Sequence, residues 1–143
     1  MIDFSPRYAA YASHEMAQRM AALLMTHGGI RLAYLFGSQA RNDATRESDV
    51  DVAVSLGKPM QAAEKERLIG DIGAAFGRPV DLIDMERSNG AILGRVFKEG
   101  IRLIDDPVVR ARIAAHRADW QTDVAPYIAR LRTERRAAWL GRG

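Results

Sequence analysis

The 143-residue chain has no cysteine, only three histidines and five prolines, and 7% aromatic residues. Each shortage excludes something. Without cysteine there is no disulfide framework, no thiolate metal site and no cysteine nucleophile, so any metal must sit on oxygen or imidazole. His14, His27 and His116 share no metal-ligand spacing and read as ordinary surface or core histidines. No stretch approaches the roughly 18 consecutive apolar residues of a membrane span. The opening MIDFSPRYAAYASHEMAQRM also lacks the continuous apolar segment of a secretory signal. The expectation is a soluble cytoplasmic protein without a membrane partner. No internal repeat, low-complexity tract or domain linker is present.

What is there suits one compact domain, since 48% of the residues are hydrophobic and the length is too small for two full domains. The formal charge of +3 is uneven: residues 107–143 carry eight Arg against three acids, a net +5, leaving −2 for residues 1–106. The arginines of that basic tail are not interleaved with exposed aromatics. A solvated helix face is therefore the preferred reading, and nucleic acid is not expected as the primary partner.

Along the chain, helical and strand patterns alternate. Ser5-Pro6 is a helix start, and Tyr8, Ala12, Met16, Met20 and Leu23 follow helical spacing until His27-Gly28-Gly29. Ile30–Phe36 (IRLAYLF) reads as a buried strand ending in a sharp turn at Gly37. Residues 38–48 are polar and irregular, a loop with room for one helical turn. Asp49–Ser55 (DVDVAVS) alternates, which as a strand puts Val50, Val52 and Val54 on one face and Asp49, Asp51 and Ala53 on the other. Leu68, Ile69, Ile72, Ala75 and Phe76 follow helical spacing up to Gly77, and Pro79–Met85 (PVDLIDM) reads as the next strand. A short helix over 89–98 and a strand over 101–104 follow. Asp106-Pro107 then opens a last helical stretch carrying Ile113, Trp120, Val124, Tyr127, Ile128 and Leu131, which Pro126 must kink or divide. The expected fold is α/β, a small mixed sheet flanked by helices. Residues 1–106 form the core, and residues 107–143 a helical extension of the same domain.

The chemistry concentrates in three acids and a turn. Asp49 and Asp51 leave the same strand face about 6.6 Å apart at the backbone, within reach of one hard cation or of a pair. Asp81, flanked by Val80 and Leu82, is a polar position on a buried strand. If that strand neighbours the first, it completes a cluster of three. Clustered carboxylates repel, so the arrangement implies a cation. Asp84 is a rival to Asp81, but strand parity puts it on the opposite face. At Gly37-Ser38 the glycine lets a backbone approach a phosphate closely, and the Ser38 hydroxyl and neighbouring N–H groups can donate to it. Ser38 can equally cap a helical turn. Arg41 can add charge to a triphosphate or form a surface ion pair. These parts suit nucleotidyl or phosphoryl transfer, in which catalysis is largely positioning and charge stabilisation.

Gly37-Ser38, then ten residues, then Asp49-Val50-Asp51 resembles the signature of the DNA polymerase beta nucleotidyltransferase superfamily. The run LFGSQARNDATRESDVDVAV is similar to its short, stand-alone members, the minimal nucleotidyltransferases. Val80-Asp81-Leu82 stands in the place of their third carboxylate, and the likeness extends from about Leu35 to Ile104. Asn42 departs from the glycine found in many relatives. The resemblance implies that Gly37 and Ser38 grip the triphosphate, with Arg41 beside it. It further implies that Asp49 and Asp51 bind Mg²⁺ (or Mn²⁺), and that Asp81 is the third ligand or the base for the acceptor hydroxyl. It also implies an antitoxin paired with a helical HEPN ribonuclease toxin, neutralised by transfer of AMP from ATP to a tyrosine. Two other functions remain open: an antitoxin that masks its partner by binding alone, and a small-molecule (antibiotic) nucleotidyltransferase. Arg110 and His116 loosely match the spaced Arg and His of HEPN ribonucleases, a match read here as chance.

Overall fold

The computed structural model describes residues 14–41, 49–119, 129–130 and 132–133. Among them the elements run α1 (Glu15–Met25), β1 (Leu32–Phe36), α2 (Gly37–Arg41), β2 (Val50–Ser55), α3 (Ala62–Phe76), β3 (Val80–Asp84), α4 (Gly90–Glu99), β4 (Ile101–Ile104) and α5 (Pro107–Asp119). The strands form one open sheet in the order β3-β2-β1-β4. β2 and β3 are parallel, and the other two pairs are antiparallel. This is the mixed, helix-flanked sheet that the alternating pattern predicts.

The two faces of the sheet bury different sets of residues. Val50, Val52 and Val54 of β2, with Ala33, Leu35 and Leu82, pack against Ala17, Met20 and Leu24 of α1 and Leu68 and Ile72 of α3. The intervening positions Tyr34, Phe36 and Ala53 pack against Leu93 and Val96 of α4 and Ile113 of α5. Period-two alternation thus separates two cores, and each fully buried aliphatic side chain adds about 1.5–3 kcal/mol relative to exposure. Tyr34 stacks edge-on against Phe97 at 5.6 Å between centroids, tying β1 to α4. α4 stops at Gly100, where a Cβ would strike the Val96 carbonyl, so the chain turns into β4 only with glycine there.

Several boundaries differ from the sequence reading. β2 begins at Val50, leaving Asp49 just ahead of the strand. α3 begins six residues earlier than its apolar stripe, because Gln61 and Glu64 form a reciprocal capping box. α1 has its own start: the His14 imidazole accepts the Ala17 N–H, so the described helix does not run in continuously from Ser5-Pro6. The Ser5-Pro6 start, Asn42, Trp120, Val124, Pro126, Tyr127, Ile128 and Leu131 all lie outside the described residues. α5 opens at Pro107 as expected, with Asp106 Oδ1 accepting the Val108 and Val109 N–H groups at 3.1 and 3.3 Å. No helix among the described residues is long and apolar enough to cross a membrane.

Candidate active site

β1 ends at Phe36, whose Cα partner on β2 is Asp51; Asp51 is in turn the partner of Asp81 on β3. Residues paired across adjacent strands project to the same side of a sheet, so Asp51 and Asp81 stand side by side on the face covered by α4 and α5. Asp51 is half-buried, while Asp49 and Asp81 are exposed. As placed, the three side chains do not converge. Among the described residues no group of three His, Asp or Glu stands close enough together to hold a metal ion.

Gly37 begins α2 with φ +71°, in the left-handed region that costs an ordinary residue roughly 1–2 kcal/mol. A Cβ at Gly37 would also run into the Asp51 carboxylate. The left-handed backbone is what favours glycine here, and any side chain at this position would oblige the Asp51 carboxylate to turn aside. Ser38 follows on α2, partly exposed. Arg41 closes that helix, and its side chain is outside the described residues.

Three neighbours escape a reading from sequence. The buried His14 accepts the Ala17 N–H at Nδ1, so Nε2 carries the proton and donates to the Gln39 carbonyl at 2.8 Å. It thereby ties the start of α1 to the helix bearing Ser38. The Gln39 side-chain amide nitrogen is buried with no hydrogen-bond partner among the described residues. On α4, Arg95 lies over the Phe36 ring at 6.0 Å, a cation–π contact that brings positive charge to the strand end opposite Asp51. No short-range motif encodes the bond from His14 to Gln39 or the contact of Arg95 with Phe36, because each joins elements far apart in sequence.

Asp84 is a structural acid. It projects to the face opposite Asp81 and is buried, accepting the Met60 N–H at 2.9 Å and the Glu86 N–H at 3.1 Å. Glu86 accepts the Ser55 hydroxyl at 2.9 Å and an Arg112 N–H at 2.8 Å, with a second bond to Arg112 completing a bidentate pair. Arg112, helped by Ser55, holds the Glu86 carboxyl below the usual carboxylate range against the opposing effect of burial. Arg110 is engaged with Asp105 at 2.8 Å, and His27 with Asp71 at 3.1 Å.

The signature pattern on a mixed sheet directs attention to one family, and the profile described as polymerase beta, nucleotidyltransferase matches residues 18–107. The chain belongs to that family. This nucleotidyltransferase is 28% identical over 74 residues to the protein adenylyltransferase MntA of Shewanella oneidensis, covering 52% of this chain and 53% of that one. It is 25% identical over 91 residues to a Methanocaldococcus jannaschii protein provisionally assigned as a protein adenylyltransferase, covering 64% and 97%. Among solved structures, a toxin–antitoxin with AMP-PNP superposes with a TM-score of 0.64 at 23% identity, over 85% of this chain and 94% of that one. A tri-AMPylated Shewanella oneidensis HEPN toxin in complex with its MNT antitoxin gives 0.57 at 21% identity, over 85% and 91%. At those identities the superpositions establish the shared fold.

Carboxylate oxygens are the donors that a hard divalent cation takes, although Asp49, Asp51 and Asp81 as placed do not form a group that could hold one.

Proposed function

We propose that this nucleotidyltransferase is an antitoxin that moves AMP from ATP onto a tyrosine of a HEPN ribonuclease partner, in a Mg²⁺-dependent reaction. The observation that carries the reading is the register Phe36–Asp51–Asp81, which sets two carboxylates side by side against the Gly37 turn. The names of the relatives support the choice of AMP and of a protein acceptor.

In this reading Gly37 and Ser38 hold the triphosphate, with Arg41 adding charge. Asp49, Asp51 and Asp81 would hold the cation, which when bound neutralises charge on the phosphates. The acceptor hydroxyl oxygen bonds to the α-phosphorus, and the bond from that phosphorus to the bridging oxygen of pyrophosphate breaks. Pyrophosphate departs with the bonding electrons, and the hydroxyl proton passes to Asp81. α5 at residues 107–119 opens the extension proposed for residues 107–143, much of which lies outside the described residues.

The test is the intact mass of a HEPN partner after incubation with this chain, ATP and Mg²⁺. AMP-sized increments are expected, and are expected to be lost with Asp49→Asn/Asp51→Asn and with excess chelator. A partner bound but left at its original mass would contradict transfer and favour neutralisation by masking.

A further inference from the structure

Among the described residues β3 is an edge strand, paired with β2 alone. Its ladder is fixed at both ends: Val50 N–H donates to the Pro79 carbonyl, and Met85 N–H to the Val54 carbonyl, each at 2.9 Å. In a parallel pair, alternate residues turn both backbone groups to the neighbour. Asp81 and Ile83 therefore bond to β2, while Val80 and Leu82 direct N–H and C=O outward. No described residue bonds to those outward groups. Farther along, the edge is closed, because the Asp84 carbonyl already accepts the Arg87 N–H at 3.1 Å and the Ser88 hydroxyl at 2.8 Å. The open stretch is short, and Asp81 lies at its centre.

A groove of about 350 Å³ borders this edge, lined by Met60, Lys65, Leu82, Ile83, Arg87 and Ser88. Lys65 and Arg87 are exposed, and among the described residues Arg87 makes a loose pair with Asp84 at 3.7 Å. The groove thus carries Lys65 and Arg87 at its rim, with Met60, Leu82 and Ile83 below and the buried Asp84 carboxylate also in its lining.

We infer that the outer edge of β3 docks an extended segment of the acceptor protein, added to the sheet as a further strand with the acceptor residue opposite Asp81. This rests on the proposed transfer to a protein and specifies how the acceptor reaches the site. Asp51 and Asp81 occupy successive strands at one register level and one face. A residue paired with Asp81 from the outer side projects to that same face, one strand spacing of about 4.8 Å farther on. Its hydroxyl then enters beside the carboxylates without any rearrangement of the sheet. Backbone bonds to Val80 and Leu82 supply affinity independent of side chains, as in other cases of strand addition. Lys65 and Arg87 select acidic residues flanking the acceptor position.

Residue-resolved amide exchange on the intact chain, alone and with the HEPN partner, tests this, run beside the mass assay. In the free chain, Val80 and Leu82 amides should exchange fast, and Asp81 and Ile83 slowly. With the partner, Val80 and Leu82 should slow at least tenfold. Lys65→Glu/Arg87→Glu should raise KM for the partner about tenfold and leave KM for ATP unchanged. AMP increments on the partner with unaltered Val80 and Leu82 exchange would overturn the docking inference alone. Unmodified partner mass with the native chain would overturn the transfer reading and the inference with it. Slow Val80 and Leu82 exchange in the chain alone, growing with its concentration, would assign the edge to self-pairing and overturn the inference as well.

Discussion

At the level of single residues, the site turns on a glycine and a carboxylate that each constrain the other. Gly37 is favoured by its left-handed backbone, and a Cβ there would push the Asp51 carboxylate out of its place. Gly37→Ala is expected to cost about 1–2 kcal/mol of stability from the backbone alone. It should lower AMP transfer far more than that, because the added methyl displaces Asp51. Thermal denaturation and the mass assay on the same preparation check it: a stable variant with native turnover would show that the Gly37–Asp51 contact is incidental. These two residues were legible from their spacing, since glycine before serine and the alternating DVD both carry a chemical reason in their types. His14, Gln39 and Arg95 were not legible. A histidine that caps one helix while holding the carbonyl of another is indistinguishable in sequence from any other, and only the packing of α1 beside α2 joins the two bonds.

At the level of elements, the strands were easier to read than the helix ends. Alternation in β2 and the apolar run of β1 fixed which side chains share a face, and the sheet follows that division. Helix starts depended on polar caps rather than on the apolar stripe, so α3 reaches back to Gln61, and α1 takes its cap from a histidine, not from the Ser, Thr, Asp or Asn usual there.

α5 is fastened to the sheet by Arg112 on Glu86, itself held by Ser55. Because the Glu86 carboxyl is depressed in the folded chain, its contribution is complete above the unfolded carboxylate pKa of about 4.3 and disappears as pH falls through the lower folded value. Arg112 is largely exposed, so solvent screening limits the pair to about 1 kcal/mol. Arg112→Ala is expected to destabilise the chain by about that much at pH 7, and the difference should vanish below the folded Glu86 pKa. Denaturant titrations at several pH values would show it; a difference independent of pH would mean that packing of the arginine stem, not its charge, holds α5.

At the level of the whole molecule, the family is carried by 90 contiguous positions, residues 18–107, that include every acid assigned to the site. The architecture was legible because helix and strand patterns alternate regularly. The assembly of the site was only half legible. Sequence spacing sets Asp49 beside Asp51, but the neighbourhood of Asp51 and Asp81 depends on β3 pairing in parallel with β2, and the open outer edge depends on β3 being last in the sheet. Parity along β3 did separate its two acids: Asp81 shares the face of Asp51, and Asp84 turns to the other face to hold the Met60 and Glu86 amides.

That division gives the most direct test of the account. The rate at which AMP increments appear on the HEPN partner should be compared for the native chain, Asp81→Asn and Asp84→Asn, with folding followed in parallel. Asp81→Asn is predicted to fold normally and lose transfer by a factor of about 100 or more, the scale at which a positioned proton acceptor acts. Asp84→Asn is predicted to lose stability while its folded fraction retains transfer. Normal transfer by Asp81→Asn, or a well-folded Asp84→Asn without transfer, would contradict the assignment of the site.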